Sequence, residues 1–288
     1  MKVLNLAEIK TALTSIDMLA TIEAGFVAYS KRNAVIPPVG ELLFERPPGE
    51  VHIKYGYLKD DAYYVIKIAS GFYDNFRFNL PSGNGVLLIF NQKTGELLGV
   101  LLDEGYLTDL RTAVAGAIAA KYLAPKDVSQ IGIIGTGTQA RLQLQLLKTI
   151  TSCRDVVVVG RNDKKLLSFL QDMQNQGFLI EIAKNVEELA AACNLIVTTT
   201  PATRPVLWAK HIKPETHITA VGTDSPHKQE LDENIFAMTD IITVDSASQC
   251  IERGDTAHAI RARLIHQDNL IELGQLIAGD YPGRTTEQ

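Results

Sequence analysis

This chain has little of what marks several common protein classes. Its three cysteines, Cys153, Cys193 and Cys250, are odd in number, widely spaced and never arranged as C-x-x-C. That argues against a disulfide framework and suits a reducing cytoplasm, with the thiols acting as small buried apolar residues. The six histidines show no H-E-x-x-H and no clustered ligand spacing, so no metal site is expected. No block of Lys or Arg breaks the mixed charge, and the net charge is −5, so neither nucleic acid nor an anionic membrane is expected as a partner. Apolar runs never reach the roughly eighteen residues of a membrane span, and Met1–Glu8 meets an acid before any such run develops. The expectation is a soluble, unexported, cytoplasmic protein. No internal repeat or low-complexity tract is visible.

What is present suits two domains: 288 residues can bury roughly three quarters of their unfolded surface. Residues 1–124 mix helix and strand irregularly and read as an α+β unit. Met18, Leu19, Ile22, Phe26 and Tyr29 fall three to four apart, which predicts an amphipathic helix near Asp17 to Arg32. Val51 to Tyr57, Tyr63 to Ala69, Gly85 to Phe90 and Glu96 to Leu101 are strand-like, the last pair joined by a turn at Asn91–Gly95. Tyr106 to Leu123 is a thin, alanine-rich helix that Ala124-Pro125 ends. Residues 125–288 then alternate regularly, with strands at Gln130–Ile134, Val156–Val159, Phe178–Ile182, Leu195–Thr199, His217–Val221 and Ile241–Val244. Helices are expected between them, one opening at the cap-like Asn185-Val-Glu-Glu188, and the tail is helical near Leu270 to Ile277. The fold class is therefore α/β, a Rossmann-type doubly wound parallel sheet plus the α+β domain.

The most informative segment is Ile131-Gly-Ile-Ile-Gly-Thr-Gly-Thr-Gln-Ala140, a β-branched strand entering a glycine turn and then a helix. Gly135 permits the tight turn, Gly137 lets backbone approach a phosphate, and Ala140 allows close helix packing, with Thr138 and Gln139 beside them. The helix then points its free N–H groups at the anion. Its pairs Leu142/Leu146 and Leu147/Ile150 are expected to face the sheet. An ordinary strand-to-helix turn is the competing reading of so short a motif. About twenty positions on, where a ribose-binding acid is usual, the chain reads Val159-Gly160-Arg161-Asn162. A guanidinium offers a planar donor fork to a phosphate, so NADP, as NADPH, is favoured over NAD. Arg161 can equally be an exposed strand-end charge, and Asp163 can still serve NAD.

Ligands of open parallel sheets sit beyond the carboxyl ends of the strands, which gives Asp224, just after His217–Gly222, positional meaning. Such a carboxylate can move a proton while hydride moves, although an Asx turn or N-cap explains it as well. Arg111, among small residues at the start of its helix, needs an anionic partner: a substrate carboxylate, or Asp103 or Asp109. Lys67 shares a strand face with Tyr63, Val65 and Ala69, and either snorkels or points into a pocket. Lys54 would share such a face if the strands pair; no role is assigned to it.

These segments resemble the ornithine cyclodeaminase and mu-crystallin family, which includes alanine dehydrogenases and ketimine reductases. The similarity is carried along nearly the whole chain by Val65–Ser70, Gly85–Phe90, Thr94–Leu98, Tyr106–Ala113, Gly135–Ala140, Val221–Asp224 and Lys228–Leu231. The resemblance implies a homodimer whose first domain pairs subunits and covers the substrate while the second binds NAD(P). It places the substrate carboxylate at Lys67 and Arg111, and a proton or the substrate amine at Asp224. Two features depart from the pattern. Ile36-Pro-Pro-Val-Gly-Glu41 lacks the basic residue many relatives carry there, and relatives usually continue past Gln288 into a segment returning to the first domain. Ser70–Asn75 with Leu80-Pro-Ser82 is similar to members linked to ectoine breakdown.

The expectation that results is an NAD(P)H-dependent reductase of a small amino or imino acid, with pyrroline-2-carboxylate as substrate and Lys67 and Asp224 as catalytic residues. Ornithine cyclodeaminase, which would use NAD, is the rival enzyme. A non-catalytic NADPH-binding protein of mu-crystallin type is the rival outside enzymes.

Overall fold

The computed structural model describes residues 1–72 and 74–285. Tyr73, within the Ser70–Asn75 stretch, and residues 286–288 of the tail lie outside the described residues. The chain divides into compact units Met1–Arg111 and Thr112–Gln288, so the division falls inside the helix Tyr106–Leu123 and not after it at residue 124. The reason is packing. Ala120 joins the core that holds Ile131, Ile133 and Leu144, and Gly116 faces the buried side chain of Gln143.

In the first unit seven strands form one sheet, in the order Lys2–Asn5, Leu97–Leu102, Gly83–Asn91, Tyr63–Gly71, Pro48–Leu58 and Ala34–Val35, with Gly40–Glu45 also paired to Pro48–Leu58. Every pairing is antiparallel except that of Lys2–Asn5 with Leu97–Leu102. The four strands expected from β-branched and aromatic runs are all present. Lys2–Asn5, Ala34–Val35, Gly40–Glu45 and the short helix Leu6–Leu13 were not foreseen. That helix nevertheless carries a local signature: Asn5 Oδ1 accepts from the Glu8 amide at 3.0 Å and Glu8 returns a bond to the Asn5 amide at 2.8 Å, a reciprocal cap.

The second unit is built on a five-stranded parallel sheet ordered Leu179–Ile182, Asp155–Val159, Ile131–Ile134, Leu195–Thr198 and His217–Ala220. Ile131–Ile134 and Leu195–Thr198 are buried along their whole length, as strands covered on both faces must be. The chain reverses direction across the sheet between these two strands, and ligands of such sheets lie outside the carboxyl ends at that point. The expected sixth member, Ile242–Val244, is not in this sheet: it pairs with Leu270–Glu272. The tail is therefore a strand before it becomes the helix Leu273–Ala278, because Leu270–Glu272 supplies backbone partners that Ile242–Val244 lacks elsewhere. A further pair, Thr203–Leu207 with Gln229–Leu231, also escaped the sequence. On the helix Thr138–Leu147 the buried stripe is Ala140, Gln143, Leu144 and Leu147, rotated from the expected Leu142/Leu146 face. No single described helix is long and apolar enough to cross a membrane.

Candidate active site

Gly135 has φ +118°, and a side chain there would put its Cβ 2.5 Å from Thr199 Oγ1, so the turn tolerates only glycine. Gly137 is the N-cap of Thr138–Leu147 and contributes no side-chain cap, and a Cβ on it would meet nothing within 4 Å. The first-turn amides thus have no side-chain cap from Gly137, and backbone there can be approached closely. Arg141 holds the other side of the turn: its guanidinium donates to the Thr136 carbonyl at 2.5 Å and to Asp172 at 2.6 Å, and lies over the Phe169 ring. Anchoring that carbonyl leaves the amides to point outward, and an anion at a helix N-terminus needs that arrangement. These residues fit a dinucleotide pyrophosphate. Thr138 is exposed, Gln139 is partly covered and meets Gln143, and Ala140 is fully buried, consistent with close packing. Arg161 is exposed one residue beyond the turn that follows Asp155–Val159. Asn162, also expected to meet the cofactor, caps the helix Asp163–Gln174, its Oδ1 accepting from the Lys165 amide at 3.0 Å. Its carbonyl-side chemistry is spent locally.

At the same edge of the sheet the loop after His217–Ala220 carries Asp224, whose Oδ1 accepts from Lys228 Nζ at 2.6 Å. The Asp224 side chain is 56 % exposed and the Lys228 side chain 12 %. The residues before it are tied down from beneath. Gly222 donates its amide to Glu230 Oε2 at 2.9 Å, and the Thr223 hydroxyl donates to Asp255 Oδ2 at 2.6 Å. Glu230 is wholly buried and also accepts from the Thr198 hydroxyl at 2.8 Å and from the Thr200 amide. Burial pushes the Glu230 carboxyl up to about 7, against the pull of its bonds to Thr200 and Thr198. Asp255 is likewise raised by burial, opposed by the amides of Leu231 and Glu230 and the Thr223 hydroxyl.

In the first unit the register sets Lys54 directly opposite Lys67, with Leu87 on the other side of Lys67. Burial lowers the Lys67 ammonium to about 7, and the charges of Arg111 and then Lys54 push it the same way more strongly than Asp103 and Asp109 pull it back. Asp103 is fully buried and turned to its own helix, Oδ2 accepting from the Leu107 amide at 2.9 Å; Oδ1 has no hydrogen-bond partner among the described residues. The field at Lys67 is therefore net positive. It favours an anion and a lysine able to change protonation near neutrality.

The structure thus brings Lys67 and Arg111 together and adds Lys54, which had no assigned role. In the second unit the glycine turn, Arg161 and Asp224 lie in carboxyl-end loops of one parallel sheet, the first two after adjacent strands and Asp224 after a strand separated from them by Leu195–Thr198. Glu230, Asp255 and Arg141 were missed. The sequence carries no signal for the two acids: Glu230 lies in the polar run Lys228-Gln-Glu-Leu-Asp-Glu233 and Asp255 in Glu252-Arg-Gly-Asp-Thr256, where a carboxylate looks like an ordinary surface residue.

Residues 1–288 match the family model described as Ornithine cyclodeaminase/mu-crystallin family. An uncharacterized cyclodeaminase of Sinorhizobium fredii is 38% identical, covering 100% of this chain and 88% of that protein. Two solved structures superpose closely. An archaeal alanine dehydrogenase dimer with bound NAD has a TM-score of 0.89 at 31% identity, covering 99% of this chain and 87% of that one. The Δ1-pyrroline-2-carboxylate reductase of Thermococcus litoralis, in complex with NADH and L-proline, has a TM-score of 0.91 at 27% identity, covering 100% and 90%.

Proposed function

This chain belongs to the ornithine cyclodeaminase/mu-crystallin family, and on that premise we propose that it is an NAD(P)H-dependent reductase acting at the α-carbon of an imino acid, with a cyclic ketimine such as pyrroline-2-carboxylate as substrate. The observation that carries the proposal is the placement of Lys67, partly buried and directly opposite Lys54, where the charges of Arg111 and Lys54 outweigh those of Asp103 and Asp109. The net positive field there attracts a further anion, and a substrate carboxylate is the anion this chemistry supplies. The solved relative with NADH and L-proline supports the same choice.

Arg111 grips the carboxylate, and Lys67 holds the carboxylate region with a proton it can release or take up near neutrality. Asp224, in the loop after His217–Ala220, stabilises the protonated imine nitrogen. When bound, the nicotinamide supplies the hydride that the α-carbon receives. Gly135, Gly137, Thr138, Gln139 and Ala140 hold the dinucleotide through backbone amides and close packing, and Arg161 selects NADPH by pairing with a ribose phosphate. The first unit, Met1–Arg111, serves as the substrate and dimerisation domain and the second, Thr112–Gln288, as the cofactor domain of a homodimer. The dimeric state of the related alanine dehydrogenase supports that assembly.

A spectrophotometric screen tests the reading. NADPH is oxidised with pyrroline-2-carboxylate or piperideine-2-carboxylate, more efficiently than NADH. Ammonia release from ornithine with NAD+, and no net reduced cofactor, would instead establish cyclodeamination, the activity for which the Sinorhizobium relative is named.

A further inference from the structure

The Glu230 carboxylate lies beneath the carboxyl edge of the parallel sheet and touches neither solvent nor the proposed substrate groups. Its three donors come from two separate loops: the Thr198 hydroxyl and Thr200 amide after Leu195–Thr198, and the Gly222 amide after His217–Ala220. Backbone bonds also join the two segments, from the Val221 amide to the Thr198 carbonyl at 3.1 Å and from the Gln229 amide to the Ala202 carbonyl at 2.8 Å. Asp255 continues the support: its Oδ1 accepts from the amides of Glu230 and Leu231 at 2.7 and 2.8 Å, and its Oδ2 from the Thr223 hydroxyl at 2.6 Å. Asp224 is therefore preceded by two residues, Gly222 and Thr223, each bonded to a different buried acid, and followed by Ser225, whose carbonyl accepts from the Gly254 amide at 3.3 Å.

We propose that Glu230 is a positioning residue for the reaction: by bridging Thr200 to Gly222 it fixes the Asp224 loop against the adjoining loop of the cofactor edge. The proposal rests on the reading that Asp224 serves the imine nitrogen. The chemistry requires an acceptor with two oxygens. A glutamine in the same place keeps one acceptor and sets an N–H₂ against an amide, so one loop must separate from the other. Because one buried carboxyl serves three donors, its protonation has the same effect as that substitution in milder form. Other ionisable groups near it are Asp255, which raises it, and His258, which acts on Asp255.

The test compares Glu230→Gln and Glu230→Asp with the unmodified enzyme in four measurements. These are kcat and KM for pyrroline-2-carboxylate from pH 5.5 to 8.5, NADPH affinity by fluorescence, amide exchange by mass spectrometry, and thermal unfolding. In Glu230→Gln, kcat falls about tenfold or more while KM changes less than threefold, and the limb of the kcat profile near pH 7 that belongs to Glu230 disappears. Exchange rises in residues 198–202 and 221–226 but not in 131–134, and Glu230→Asp restores part of kcat. Unchanged kcat and exchange, or a kcat loss equal to the fall in native fraction, overturns the proposal. If Asp224→Asn retains full kcat, or the unmodified enzyme reduces no ketimine, the functional reading fails instead. NADPH affinity and loop exchange in Glu230→Gln then still decide whether the bridge holds the two loops.

Discussion

Lys54 and Lys67 stand directly opposite one another across the antiparallel strands Pro48–Leu58 and Tyr63–Gly71. Like charges so placed repel, and here the repulsion adds to that of Arg111 and to burial in bringing Lys67 to about 7. Replacing Lys54 by methionine should move the Lys67 titration up by roughly one pH unit. The kcat/KM profile of Lys54→Met, measured from pH 5.5 to 9.5, is expected to shift its limb accordingly; an unmoved limb would show that Lys54 does not act on Lys67.

Lys67 also sets a slope of stability on pH. Its folded value, about 7, lies below the ordinary 10.5, so between those values the unfolded chain binds more protons and stability rises with pH. Lys67→Met should lose that rise in thermal midpoint and should lose roughly a hundredfold or more in turnover. An anion bound beside Lys67 restores its proton, so carboxylate binding near pH 8 is expected to take up a proton, measurable by calorimetry in buffers of different ionisation heat.

Gly135→Ala introduces a Cβ 2.5 Å from Thr199 Oγ1 at a residue with φ +118°. A cost of about 2 kcal/mol or more follows from strain and overlap together. Chemical denaturation gives the stability change, and NADPH titration should show weakened affinity in the folded fraction.

Arg161→Asp should lower kcat/KM with NADPH by about a hundredfold and raise it with NADH, since a carboxylate repels a phosphate and accepts from ribose hydroxyls. Equal loss with both cofactors would mean that Arg161, exposed at the strand end, does not read the ribose.

His217 and Glu230 oppose each other in acid. Burial, helped by Arg284, lowers His217 to about 4 from 6.5, so the unfolded chain binds more protons there and stability falls as pH drops from 6.5 to 4. Glu230, raised to about 7 from 4.5, gives the folded chain the extra proton, and stability falls as pH rises from 4.5 to 7. His217→Asn, which can keep the bond to Thr219 Oγ1, should unmask the second slope in thermal midpoints taken between pH 4.5 and 7.

The parallel sheet was legible because strands covered on both faces must be apolar throughout, and Ile131–Ile134 and Leu195–Thr198 leave no other reading. The glycine turn was legible because φ +118° at Gly135 is a need that glycine alone meets, so the chemistry is local. The buried stripe of the following helix was misjudged by a fraction of a turn, since several leucines compete and only the sheet selects Leu144 and Leu147.

Local pattern by itself therefore determined the α/β class and the dinucleotide turn, since each depends on residues near in sequence; it singled out Lys67, Arg111 and Asp224 but left their roles to the family resemblance. Only the tertiary structure decided that Lys54 faces Lys67, that Ile242–Val244 pairs with the tail, and that Glu230 reaches back to Thr198 and Thr200. Strand register and the partner of a buried charge are long-range matters. Burial makes an unsatisfied carboxylate or cation costly, but which distant group answers it is settled by the folded chain alone.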